Sequence, residues 1–383
     1  MMKHRPLIFT LMCFLHLVLI APAYSQTEHP DPPEHEQVWR FTMQPQMFGI
    51  NLGIGYIGFP LFHEVDTTFW LLIGAAYQNV NFFRTADGKP LTKANIGNLV
   101  LYDDLSFERL SINWGCGISQ GIVKDDGPCR NVIELFAFYR GRFDDAWSGN
   151  ADSTLRTQTD PLPDTEGILQ NTLVCGLMVN MVAYDSEKKM KSGIYAESSL
   201  EWGPEFFFNS VVGMCDFLRL NITFKSFLPL FGFSEKTGSC LMSMYLADCL
   251  IIDYLTGPHI PIHERQNTGG LNTRLGMGES VRGFEKGRFD AELRLIDNLE
   301  LRIIFPSLID SAFAPGMFIF LDSGYFYFRE YENQGLVFST GTGIFFIVMD
   351  KLQLTVYASL LLNEARLDGS TFVPVGFSMK YHF

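Results

Sequence analysis

The chain has 383 residues, 47% hydrophobic and 14% aromatic, and carries 42 acidic against 29 basic side chains for a formal charge of −13. That balance excludes nucleic acid as a partner, because phosphate contacts need a basic surface. High apolar content, 34 glycines and no helix-length apolar run after the first 25 residues point to an all-β chain, either a soluble sandwich or a membrane barrel.

Residues 1–25 read as a secretory signal. Lys3, His4 and Arg5 precede an apolar stretch from Leu7 to Ile20, and Ala21-Pro22-Ala23-Tyr24-Ser25 offers small residues for cleavage. Residues 26–39 form a short acidic, proline-containing lead-in with no periodicity. The region 40–383 reads as the barrel itself.

Strand signals begin with Ile50, Leu52, Ile54 and Tyr56, which alternate with Gly49, Asn51, Gly53 and Gly55. Successive side chains of a strand point to opposite faces, so this segment has one apolar face. Further segments run from Phe69 to Phe83 and over 105–122, 131–144, 168–185, 191–207, 211–232 and 239–256. Residues 84–96 and 145–167 are polar and turn-rich, and 257–289 form a long loop. Five amphipathic segments follow it. In the first, Leu293, Leu295, Leu299 and Leu301 oppose Arg294, Asn298, Glu300 and Arg302. In the last, Val373, Val375, Phe377, Met379, Tyr381 and Phe383 oppose Pro374, Gly376, Ser378, Lys380 and His382.

Each polar face would be costly in lipid, and each apolar face would be exposed in water. A closed transmembrane antiparallel barrel satisfies both and pairs every backbone edge. Eight segments precede the loop and five follow. An even total is required if both chain ends lie on one side, so about 12–16 strands are expected.

The loop contains Val281-Arg282-Gly283-Phe284. Glu300-Leu301-Arg302 precedes Pro306 on the next strand, and Phe320-Leu321-Asp322-Ser323-Gly324 lies on the one after. With five terminal strands and a terminal aromatic, this set resembles the Omp85 superfamily, the outer-membrane barrels that include BamA, TamA and the two-partner secretion transporters. The resemblance is clear over residues 276–383 and architectural before them. It implies a loop folded back into the lumen, with Arg282 paired to acids on the two strands that follow. Glu300 and Asp322 lie on the polar parity of their strands and are the preferred partners; Glu292 is the rival. A guanidinium matches carboxylates bidentately, and its permanent charge needs acidic partners when buried. Phe377, Met379, Tyr381 and Phe383 resemble the C-terminal sorting signal of such barrels.

The resemblance further implies a bacterial outer-membrane protein, not an enzyme and without cofactor. Its partners would be outer-membrane lipids and client outer-membrane proteins or secreted polypeptides. Most members carry periplasmic POTRA domains ahead of the barrel, and here only the acidic lead-in is expected. The alternative is a passive pore or structural surface antigen that kept the barrel and lost the assembly role.

Other constellations carry less. His259, His263 and Glu264 have metal-like spacing, but Pro258 and Pro261 break the helix it needs, so no metal site is expected. No GxSxG element marks a hydrolase. Gly341-Thr342-Gly343 is a strand pattern, not a phosphate loop. Cys116 and Cys129 are the nearest candidate disulfide, with the cysteines otherwise read as small apolar residues. Trp70, Trp114, Trp202 and Tyr357 fit either interfacial belts or ordinary packing.

Overall fold

On the strand Asp216–Ser234, Leu218, Leu220, Ile222 and Phe224 are exposed, whereas Arg219, Asn221, Thr223 and Lys225 are at most 1% exposed. This is the inverse of a water-soluble sheet. Apolar side chains outside and charges inside are stable together only where the outer solvent is hydrocarbon.

The same alternation recurs along the chain in the computed structural model. It describes residues 38–381 apart from 47–48, 63–64, 82, 84–105, 125–130, 146–166, 235–239, 272–276, 279, 286, 309–312, 329–332 and 351. The strands are β1 (Val38–Gln46), β2 (Gly49–Phe62), β3 (Val65–Asn81), β4 (Ser106–Lys124), β5 (Asn131–Asp145), β6 (Gly167–Asn180), β7 (Ala183–Asp185) and β8 (Met190–Gly203). They continue as β9 (Asp216–Ser234), β10 (Cys240–His259), β11 (Leu293–Ile304), β12 (Phe313–Phe328), β13 (Asn333–Val348), β14 (Leu352–Leu361) and β15 (Phe372–Tyr381). All pair antiparallel with their neighbours in chain order, with the short β7 standing off the path against β8. The sheet is a transmembrane antiparallel barrel. Among the described residues, nine strands on the path precede the long loop and five follow. No described helix is long and apolar enough to cross a membrane.

The strand missing from the sequence reading is β1. Trp39 and Phe41 are exposed on its outer face, but the segment abuts the proline-containing lead-in and ends at Pro45-Gln46, which hid its alternation. The strand also begins inside the 26–39 lead-in, at Val38. The proposed signal and the rest of the lead-in lie outside the described residues.

Strand direction sends the connections 204–215 and 260–292 from one end of the barrel, and brings both ends of the described chain to the other. At that second end the β7–β8 hairpin leaves the wall. Gly193, at φ +103°, makes the last β8 pairing with β9, at Phe227. The hairpin then turns inward, burying Val182, Lys189 and Lys191. Lys189 Nζ reaches Asp350 on the β13–β14 turn at 2.8 Å, and Tyr184 donates to the same carboxylate at 2.7 Å. Two turns distant in sequence are thereby tied together at one mouth.

The lumen is packed. Phe136, Phe138, Tyr195, Phe227, Tyr245, Phe318, Phe320 and Phe345 line it, and Met277 and Val281 of the long loop sit among them. Trp70 and Tyr357 belong to this interior. Trp70 packs on Phe138 and Tyr357 on Phe320, so the belt reading is corrected for both. Glycines opposite these rings, such as Gly117 beneath Trp70, leave them room. Cys116 is an exposed free thiol within β4, not half of a disulfide, and Cys129 lies outside the described residues.

Candidate functional site: the loop held inside the barrel

The connection between β10 and β11 spans 260–292, slightly downstream of the expected 257–289. It runs through the lumen, and two groups of charges hold it.

The first group lies at Arg282. Register pairs Asn298 with Asp322 and Glu300 with Phe320, so Asp322 and Glu300 are diagonal neighbours on the inner face of β11 and β12. The Arg282 guanidinium donates to Asp322 through Nε (2.8 Å) and Nη2 (2.6 Å), and to Glu300 through Nη1 (2.6 Å). The Arg282 backbone N–H also donates to Asp322, at 2.9 Å. Its guanidinium carbon stands 3.8 Å from the Phe320 ring centroid, so the cation is bonded at its edge and stacked on its face. Burial works against this charge, but Glu300 and Asp322 outweigh it and hold the guanidinium above its ordinary value. Glu300 also accepts from Arg302 Nε at 2.6 Å, and Arg302 reaches Gln353 on β14 at 3.1 Å. Asn298 Nδ2 donates to the Ser280 carbonyl at 2.9 Å.

Spacing of two makes the Phe320-Leu321-Asp322-Ser323-Gly324 element work as a unit, since residues i, i+2 and i+4 share a face. Phe320 carries the guanidinium, Asp322 pairs with it, and Gly324 leaves space for the loop. A β-carbon at Gly324 would stand 2.6 Å from Val281 Cγ2. Gly283 holds φ +97°, and a β-carbon there would meet Ser359 Oγ at 2.5 Å and Leu361 Cδ2 at 2.8 Å. Beyond it, Phe284 packs on Phe289, which stacks on Phe326 with centroids 4.3 Å apart.

Gly283→Ala is therefore expected to displace the loop tip from β14, since the alanine meets both an unfavourable φ and an occupied site. Faster protease cleavage near 280–285, with the barrel still folded, is the expected result. Unchanged cleavage would mean the tip tolerates a side chain there.

Glu292, the rival acid, is buried just before β11, and its backbone N–H and C=O pair with Tyr327 and Leu255. Arg282 instead has its ion pairs with Glu300 and Asp322 among the described residues. Phe377 faces outward with Val375, both exposed, while Lys380 on the opposite parity donates to the Gly278 carbonyl inside. Met379 and Tyr381 occupy β15 opposite Leu354 and Leu352, and Phe383 lies outside the described residues.

The second group was not anticipated. Directly after Pro261 the loop forms a five-residue helix, Ile262–Gln266, whose Glu264 is buried among wall arginines. Glu264 accepts from Arg219, from Arg140 at 3.0 Å and from Gln170 at 2.8 Å. Arg219 also donates to the Glu264 carbonyl, and Arg294 does so at 3.0 Å. Both arginines reach the Asn267 carbonyl. Asp253 accepts from the Gly269 N–H at 3.0 Å, and Glu201 shares Arg140 and Arg219. A buried loop must place its backbone polar groups somewhere, and here wall side chains take them. Burial pushes the Glu264 carboxyl up, but Arg219 and Arg140 overcome this and keep it well below the usual range. Burial, reinforced by Arg142, lowers His263 to about 4, leaving it neutral. One N–H can serve only one of its two acidic neighbours, Asp144 and Glu264, each 3.2 Å away.

The residues with metal-like spacing are thus used in packing and pairing, with His259 ending β10 outside the helix. The available signal for the second group was the run of cations on inward parity: Arg140, Arg219 and Arg294. In the Glu292-Leu293-Arg294 triplet, it is the arginine that holds the loop.

No protein-family model and no curated protein matches the sequence. Among solved structures, BamA from Haemophilus ducreyi lacking POTRA domains 1-3 is similar at a TM-score of 0.52 and 12% identity. That likeness covers 91% of this chain and 65% of that one. CdiB from Escherichia coli gives 0.49 and 11%, covering 87% of this chain and 52% of that chain. CdiB from Acinetobacter baumannii gives 0.49 and 12%, covering 87% and 50%. The chain therefore spans 65% or less of the length of these structures. At such identity the likeness is one of fold: this protein has a barrel fold similar to that of the BamA structure.

Proposed function

We propose that the protein is an Omp85-type barrel of the bacterial outer membrane that helps insert or translocate other polypeptides. The observation that carries this reading is the docking of Arg282, from a loop folded into the lumen, on Asp322 and Glu300 of the next two strands. In this reading Val281, Arg282, Gly283 and Phe284 are the latch, Glu300 and Asp322 its receivers, and the exposed Phe377 face part of a C-terminal sorting signal. The protein exerts its effect by shaping a membrane path, without chemistry at a cofactor or metal. Clients would be unfolded outer-membrane barrels or secreted polypeptides.

A passive pore fits less well with a lumen occupied by loop and interior rings. The two readings separate on reconstitution. The purified protein in phospholipid vesicles is expected to speed the folding of an added, urea-unfolded outer-membrane barrel over protein-free vesicles. Equal rates together with steady ion conductance would overturn the assembly reading and favour the pore.

A further inference from the structure

The β8–β9 connection folds over the outside of the barrel, not over its mouth. Asn171 has the outward parity of β6, shared with the exposed Leu173, Cys175 and Leu177, yet it is only 6% exposed. What covers it is the turn Glu205–Asn209. The Asn171 N–H donates to Asn209 Oδ1 at 2.6 Å, and Asn171 Nδ2 donates to the Phe207 carbonyl at 2.8 Å. Asn209 Nδ2 donates back to the Asn171 carbonyl at 2.9 Å and to Pro204 at 2.8 Å. Leu169 N–H bonds Val212 O at 2.8 Å, which fixes the returning limb on the same strand.

The clasp continues along the outer face. Tyr139 donates to Asn171 Oδ1 at 2.5 Å and accepts from Trp114 Nε1 at 3.1 Å. The outward polar groups of three adjacent strands are thus paired with one another and with the turn. That pairing is what hydrocarbon demands of a polar group.

The turn's own side chains point the other way. Phe206 is 68% exposed, Phe208 73% and Val211 66%. Phe206 adjoins the outward Trp202, the two rings 5.4 Å apart, and so continues the lipid-facing surface of Leu200 and Leu218. Phe208 sits at φ +65°, a conformation costly for a bulky residue, so the clasp holds its ring outward against a local preference. An apolar patch of this kind standing free in water would be unfavourable.

We propose that the 204–214 segment is a membrane anchor, with Phe206, Phe208 and Val211 inserted among lipid acyl chains beside the barrel. The occupant follows from continuity with the lipid-facing wall and from the internal pairing of the asparagines beneath. Such a wedge would bury further apolar surface in the leaflet next to β6 and β8 and so anchor that side of the barrel.

The test places benzoylphenylalanine, a photo-cross-linker, at position 208 of the full chain in phosphatidylethanolamine–phosphatidylglycerol vesicles. Parallel proteins carry it at 206, at 211, and at 368 in an exposed turn as control. Lipid adducts at 208 several-fold above those at 368 are the expected result. Adduct yields equal to the control, or cross-links to a second copy of this chain, would overturn the proposal. If labelling at 208 prevents folding, positions 206 and 211 carry the same two outcomes. Asn209→Ala in the labelled protein is expected to reduce lipid adducts several-fold while the barrel keeps its heat-dependent gel mobility. Undiminished adducts would show that the clasp does not position the wedge.

Discussion

Arg282→Ala is expected to release the loop tip at a cost of about 3–5 kcal/mol, the usual result of breaking a buried ion pair by removing one partner. The cost arises mainly from what is left behind. Asp322 is fully buried and loses its guanidinium contacts, while Glu300 retains Arg302. The ratio of released to docked loop should rise by roughly 10²–10⁴-fold. Faster protease cleavage near 280–285 and larger conductance in planar bilayers would record it. Two further variants separate the charge effect from lost packing on Phe320. Arg282→Ala with Asp322→Asn should be milder than Arg282→Ala alone, since no orphaned carboxylate remains. Arg282→Lys should rescue only in part, because an ammonium cannot bridge two carboxylates in one plane and stack on a ring. Wild-type cleavage and conductance in Arg282→Ala would end the latch idea.

Glu264→Ala should open the other end of the loop by a comparable amount, about 3–5 kcal/mol. Arg219 and Arg140 would share the remaining Glu201 and Asp253 with Arg294, leaving the buried cluster with excess positive charge. Glu264→Gln keeps a hydrogen-bond acceptor and should lose less, about 1.5–3 kcal/mol. Hydrogen exchange locates the effect. Glu264→Ala should expose amides of 262–271 first, whereas Arg282→Ala should expose those near 280–285. Equal opening of both regions in either variant would show the loop to be one cooperative unit, not a segment held at two separate points.

Much of this was written in the alternation of side chains. Parity put Asp322, Glu300 and the rival Glu292 alike on polar faces, because a strand has a period of two. It was the family resemblance that made Glu300 and Asp322 the preferred partners of Arg282. The same rule explains the outward Val375 and Phe377. It failed at Val38–Gln46, where only a short stretch of alternation stood beside a proline-containing segment. It was ambiguous for Trp70 and Tyr357, because aromatic residues suit both a packed lumen and a lipid interface. Asn171 can stand on an outward parity because the turn over it meets its polar groups.

The sequence by itself determined the class of fold and the face of each terminal strand. These depend on local period and on charges that cannot stay unpaired when buried. Only the tertiary structure decided the place of Val38–Gln46 in the sheet, the buried cluster around Glu264, and the turn clasped to the outer wall. Arg140, Arg219 and Arg294 lie on strands far apart in the chain, and nothing local says that one glutamate meets all three. The curvature of the wall brings them together, and the need to satisfy every buried polar group selects the partner.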